Sequence, residues 1–218
     1  MNGKQLKNSI LQWAIQGNLV PQDPNDDPAS VLLEKIRQEK ERLIKEKKIK
    51  RDKNASIIYR GEDNSYYEKF IATGMVKCID EEIPFEIPQG WEWCRLRDII
   101  EGTNAGKSPN CEKRPKKEYE WGVLTTTAIQ ENVFLPTENK VLPPNYIVNS
   151  EHSVQYGDIL ITRAGPINRT GVVCLVDKEC GNLILSDKTV RIDYLRNYCN
   201  PIFIVLVLNS PAIHELLM

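Results

Sequence analysis

The chain has 218 residues, 41% of them apolar and 27% charged, enough for one substantial domain or two small ones with a real core. Its formal net charge of −1 does not announce a nucleic-acid binder, so any basic character has to be local. Residues 1–16 lack the apolar run of a secretory signal, and the longest aliphatic stretch, Ile202–Leu208, falls far short of the ~20 residues of a membrane-spanning helix.

In chain order, Leu6, Ile10, Trp13 and Ala14 recur at helical spacing and Gly17 follows as a C-terminal cap, which predicts an amphipathic helix near Lys4–Gln16. The stretch Leu19–Asp27 breaks regular structure with two prolines and several turn formers. Asp27-Pro28 suits a helix start, with Asp as N-cap and Pro at the first helical position, and predicts a second helix within Ala29–Lys50. Between Glu34 and Lys53 there are ten basic and five acidic residues, the pattern of a solvated helix laced with ion pairs. Direct DNA contact by this helix stays open as the other reading.

Lys53–Asp80 is polar and poor in aliphatics, and reads as a linker that packs on something. In Glu81–Trp93, Pro84 and Pro88 punctuate an extended segment, and a domain boundary is expected near residue 83. Strand-like runs then alternate with turns, at Trp121–Ile129, Ile159–Thr162, Val172–Val176, Thr189–Ile192 and Ile202–Leu208, before Ser210-Pro211 opens a final helix. The expected fold class is therefore α+β: a helical N-terminal arm over residues 1–82 and a strand-rich domain over residues 83–218.

Cys78, Cys94, Cys111, Cys174, Cys180 and Cys199 form no paired motif and read as separate reduced thiols. His152 and His214 are too few and too scattered for a zinc site or a catalytic base. Three segments could carry binding. In the loop Thr103–Lys117, Lys107, Lys113, Arg114, Lys116 and Lys117 oppose only Glu112, a local charge of +4. Such cations could track phosphates by counterion release, or simply solubilise a loop.

Arg163–Gly171 joins two strand-like runs through nine residues, longer than a tight hairpin needs, and holds Arg163, Asn168, Arg169 and Thr170 with no acid. Arg can reach guanine and Asn can reach adenine bidentately, although Gly165-Pro166 and Gly171 could merely turn the chain. Thr125 and Thr127 end a strand-like segment, where threonine is an ordinary choice and a phosphate donor is the alternative.

Enzyme signatures are missing. The sequence has no GxGxxG, no GxxxxGK[ST] and no Asn/Asp-Pro-Pro-Tyr loop; Pro143-Pro144-Asn145-Tyr146 has those letters in the wrong order. The Glu-x-Lys triplets at Glu46-Lys47-Lys48 and Glu138-Asn139-Lys140 are what chance gives in so charged a chain. No cofactor and no metal is expected.

Leu6–Asp27, with Pro28–Lys50 behind it, resembles the helical region of type I restriction–modification specificity subunits. Ile83–Leu96 looks like the start of a target recognition domain of that family. Gly106–Pro109 (GKSP), Trp121–Ile129, Glu138–Pro143 and Gly157–Gly165 (GDILITRAG) resemble its recurring blocks in order. The resemblance implies a non-catalytic subunit that reads double-stranded DNA, while a methyltransferase subunit and a motor-nuclease subunit supply the chemistry, in the cytoplasm and away from membranes. It makes Lys107, Ser108, Lys116, Lys117, Thr125, Thr127, Arg163, Asn168, Arg169 and Thr170 the candidate DNA contacts. The helix Ala29–Lys50 becomes a candidate contact with the methyltransferase.

Members of the family carry two recognition domains with a spacer helix. Only one recognition domain is legible here, so a fragment, a truncated product or a self-associating half subunit is expected. The alternative is a scaffold that docks the methyltransferase without reading DNA.

Overall fold

The computed structural model describes residues 2–217, without the side chains of Lys4 and of residues 215–217. The chain divides into two compact units. The first holds the residues up to Glu101 together with Leu195–Cys199, and the second holds Gly102–Tyr194 and the segment from Asn200 onward.

In the first unit, helix α1 (Gly3–Ile15) opens on a capping box, in which Asn2 Oδ1 accepts from the Gln5 amide and Gln5 Oε1 from the Asn2 amide. Its stop is Gly17, at φ +69°, where a Cβ would come within 2.7 Å of the Pro88 ring. The face it turns inward is not the predicted stripe: Leu11 and Ile15 are buried, whereas Leu6, Ile10 and Trp13 are exposed.

Helix α2 (Ala29–Lys45) is capped by Pro28 rather than by the Asp27 side chain, and the Ala29 amide donates to Gly90 O at 2.8 Å. It ends at Lys45, short of Lys50, because Lys47 takes a left-handed φ of +59° and breaks the ladder. The expected ion pairs are present between Arg37 and Glu34, Arg42 and Glu39, and Arg42 and Glu46. Ile36 and Leu43 form a small core with Leu195, flanked by Leu33, Ile49 and Ile99.

The segment read as a linker is instead a three-stranded antiparallel sheet of β1 (Ser56–Arg60), β2 (Tyr66–Phe70) and β3 (Val76–Cys78). Its cohesion comes from pairs that a count of aliphatics overlooks. Tyr59 stacks on Tyr67 with centroids 5.9 Å apart. Beneath the sheet Glu68, 2% exposed, accepts from Ser56 Oγ, Arg95 and Arg97. A short helix α3 (Leu96–Ile99) and strand β4 (Ile100–Ala105) follow, the division between the units falling inside β4.

The second unit contains β5 (Gly122–Leu124), β6 (Ile129–Gln130), β7 (Val133–Phe134), β8 (Asn139–Val141), β9 (Ile159–Thr162), β10 (Val173–Leu175), β11 (Leu183–Ile184) and β12 (Thr189–Tyr194). One sheet runs β10-β9-β12-β4 and a second β11-β5-β8, with β6 and β7 as a separate pair. As the sequence suggested, β9 and β10 pair antiparallel, Ile161 opposite Val173. The core is apolar and mostly aliphatic, with Leu124, Phe134, Leu160, Val176, Leu183 and Leu185 at its centre.

The run Ile202–Leu208, read as a strand, is the helix α4 (Pro201–Leu208). Periodicity cannot separate a strand from a helix in a continuous apolar run. Here the local signals decide: Asn200 Oδ1 accepts from the Ile202 and Phe203 amides, and Pro201 sits in the first helical turn. Helix α5 (Pro211–Leu217) is the last element. The architecture is α+β, with strands in the N-terminal portion as well as in the remainder, since β1–β3 follow the two N-terminal helices.

Candidate nucleic-acid interface

The candidate residues fall into two groups, both within the second unit. The first is built around the turn Leu185–Lys188, which connects β11 to β12. Thr189, the first residue of β12, lies opposite Thr162, the last of β9. That register sets the turn beside the root of the Arg163–Gly171 loop, and the Arg163 amide donates to Lys188 O at 3.0 Å. The end of β4 arrives at the same place. Gly106 is buried there, its amide donating to Ser186 O, and a Cβ on it would lie 1.8 Å from Leu185 O. Only glycine allows so close an approach.

Two loops far apart in sequence therefore meet on one turn, and Asp187 joins them. Ser108 Oγ donates to the Asp187 carboxylate and accepts from the Asp187 amide. Arg163 Nε donates to Asp187 O at 2.6 Å. That bond occupies one corner of the guanidinium and leaves both Nη groups of the exposed Arg163 without a partner among the described residues. Lys107 and Lys188, exposed beside it, carry no ion pair among those residues.

Farther round the loop Asn168 is exposed, while Arg169 and Thr170 are half-buried. Arg169 O accepts from Thr162 Oγ1 at 2.5 Å, and Thr170 Oγ1 donates to Pro166 O. Arg169 Nη1 is shut off from solvent with no hydrogen-bond partner among the described residues. The two arginines differ in kind: Arg163 is presented and Arg169 is partly folded inward. Against four cations (Lys107, Arg163, Arg169 and Lys188) this group sets the single acid Asp187, a local charge of +3.

The second group surrounds β8. The Thr125 and Thr127 hydroxyls lie 2.6 Å apart, with Glu138 O in reach of Thr125 Oγ1 and the Glu138 carboxylate 2.7 Å from Thr127 Oγ1, so their two protons are shared among these three contacts. Both hydroxyls are thus turned onto an acidic residue. The Lys116 amide donates to Asn139 Oδ1 and the Lys117 amide to Glu120. Arg114 forks onto Glu120 and also reaches Glu112, so the +4 of the basic loop is partly spent inside the protein. The Arg114 guanidinium, with the Lys117 amide, holds the Glu120 carboxyl down at about 2. Lys107, Lys113, Lys116 and Lys117 keep their charges unpaired among the described residues.

Asp187 and Lys188 escape a reading of the sequence because they belong to no loop of unusual length. Their signal is a short polar turn, Ser186-Asp187-Lys188, between the apolar run Leu183–Leu185 and the strand-like run Thr189–Ile192. No group of three His, Cys, Asp or Glu side chains that could hold a metal ion occurs among the described residues. All six cysteines are free thiols, and burial pushes the thiols of Cys94 and Cys174 up to about 12, away from the reactive thiolate.

The chain is 43% identical over 205 residues to the specificity subunit of the type I restriction enzyme EcoEI of Escherichia coli, a match covering 94% of this chain and 31% of that protein. To the specificity subunit of the EcoAI enzyme of the same organism it is 34% identical over 210 residues, covering 90% of this chain and 29% of that protein. The chain is related to type I restriction specificity subunits. It spans about a third of the length of these relatives. No family model matches it. The similarity runs through both compact units, so the three-stranded sheet that contains Glu68 and the turn at Asp187 belong to one continuous related stretch. Among the described residues no helix is long and apolar enough to cross a membrane.

Proposed function

We propose that the chain is a non-catalytic DNA-recognition module of a type I restriction–modification complex, which directs methylation and cleavage by partner subunits to one half of a split site. The observation that carries this reading is the convergence of Lys107, Arg163 and Lys188 on one turn, with both Nη groups of Arg163 unengaged among the described residues. An exposed guanidinium on a rigid root suits bidentate recognition of guanine O6 and N7, and neighbouring lysines suit phosphates. Similarity to two specificity subunits supports the assignment.

The recognition domain is taken to run from residue 83 onward, with residues 1–82 as its arm. On that arm the charged helix α2 and the exposed apolar face of α1 (Leu6, Ile10 and Trp13) are the surfaces offered to the methyltransferase subunit. Lys116 and Lys117 act on phosphates. Thr125 and Thr127 act as phosphate donors only by giving up their bonds to Glu138.

The test is binding to a pool of random duplexes, with and without the methyltransferase subunit, followed by titration of the enriched sequence at several salt concentrations. Preference for one short sequence is expected. Arg163→Ala should relax that preference at one base pair by about 1–3 kcal/mol, as loss of a bidentate contact does. Arg169→Ala should relax it less, since its side chain is half inside. Binding without preference in both conditions would overturn the reading in favour of a docking scaffold.

A further inference from the structure

Arg163 is a useful reader only if its guanidinium is held still, and among the described residues no partner for it lies in its own loop. Its Nε bond goes to the backbone of Asp187, on a turn 24 residues later in sequence. Besides the Ser186–Thr189 bonds and the Gly106 and Arg163 amides that hold this turn, the reciprocal pair between Asp187 and Ser108, 79 residues apart, ties the residue that accepts from Arg163 to the GKSP loop. This chain of bonds links the GKSP loop to a side chain in the GDILITRAG loop. The physical consequence is pre-organisation. A side chain already held in its bound rotamer loses less entropy on reaching a base than a free arginine does.

The placement of an acid supports the same conclusion. Asp187 is exposed amid Lys107, Arg163 and Lys188, where a carboxylate would oppose the approach of phosphates. Its cost in general DNA affinity has a purpose if the carboxylate serves geometry instead. Ser108, expected from the sequence to touch DNA, has its hydroxyl proton directed to Asp187.

We infer that Asp187 and Ser108 form a brace that positions Arg163 for base reading, so that the turn Leu185–Lys188 is the organising centre of the recognition surface. Asp187 is a positioning residue and not a base contact. The inference rests on the DNA-recognition reading above and extends it to residues that carry no direct contact.

The brace is tested in two ways. In the free 218-residue chain, the Arg163 Nε–H resonance should exchange slowly with solvent, and Asp187→Ala and Ser108→Ala should each accelerate that exchange. In DNA binding, the ratio of affinities for the enriched duplex over a random duplex should fall roughly 10-fold in either variant, the loss expected when one bidentate contact loses its alignment. Random-duplex affinity should hold or rise in Asp187→Ala, because an acid has left the surface. The double variant should fall no further than either single one, since both residues act through one element. Asp187→Asn, which keeps an oxygen for Ser108, should retain most of the discrimination.

Unchanged discrimination and unchanged exchange in both alanine variants would overturn the brace while leaving DNA recognition intact. So would an equal loss of affinity for both duplexes in Ser108→Ala, which would make Ser108 a phosphate contact. If Asp187→Ala does not fold, as judged by its thermal transition, Ser108→Ala and Asp187→Asn decide. A wild-type chain without sequence preference would instead overturn the underlying reading, and the exchange measurement would still report whether the brace exists.

Discussion

At Gly106 the constraint is contact rather than backbone conformation. A Cβ there would overlap Leu185 O at 1.8 Å and Leu185 C at 2.3 Å, atoms of a backbone that cannot rotate aside. Gly106→Ala should therefore force β4 and the turn apart and cost about 1–3 kcal/mol or more, the usual scale of overpacking. Gly102, four residues earlier, has nothing within 4 Å of its Cβ position, and Gly102→Ala should be close to neutral. Urea midpoints of the two variants check the contrast. Equal midpoints would show that the two segments do not touch as described. The sequence marks Gly106 only as part of a loop; its close packing on Leu185 comes from a residue 79 positions away.

At the level of elements, the N-terminal sheet depends on one buried carboxylate. Glu68 of β2 accepts from Arg95 and Arg97, which flank the start of α3, and from Ser56 of β1. The Arg95 hydrogen bond is the main cause that holds its carboxyl down at about 2, with burial opposing and Ser56 assisting. A carboxyl depressed from 4.5 in the folded state contributes stability above the unfolded value, and that contribution fades as pH falls from about 4.5 toward about 2. Its size is roughly 3 kcal/mol, at 1.36 kcal/mol per pH unit. Glu68→Gln should cost about 3 kcal/mol at neutral pH, the lower end for a broken buried pair because both arginines remain about a third exposed. It should also flatten the acid limb of the stability curve. A variant that loses stability with acid as steeply as the wild type would assign that limb to other carboxylates. The sheet was hidden because a tyrosine pair and an ionic centre, not aliphatic alternation, hold its strands.

For the whole molecule, a net charge of −1 conceals an uneven distribution. Glu112 and Glu120 neutralise Arg114, and ion pairs line α2, while Lys107, Lys116, Lys117 and Lys188 keep their charges on the second unit. Affinity for any duplex should consequently fall with salt. Lys116→Ala should weaken all sequences alike and reduce the slope of log K against log salt by about 0.9, the release expected per neutralised phosphate. A change confined to one sequence would make Lys116 a base reader.

The sequence by itself determined what local chemistry controls: α1 with its glycine stop, the ion-paired α2, the pairing of β9 with β10, the missing enzyme motifs, and the family blocks. Only the tertiary structure decided what depends on distant partners. It turned Leu6, Ile10 and Trp13 outward and made Ile202–Leu208 a helix. It sorted ten candidate contacts into two groups, and it brought Ser108 and Arg163 together on Asp187. The reason is physical. A helix cap or an apolar run is read within a few residues, whereas the aim of an arginine is fixed by hydrogen bonds that close across strands 24 and 79 residues apart.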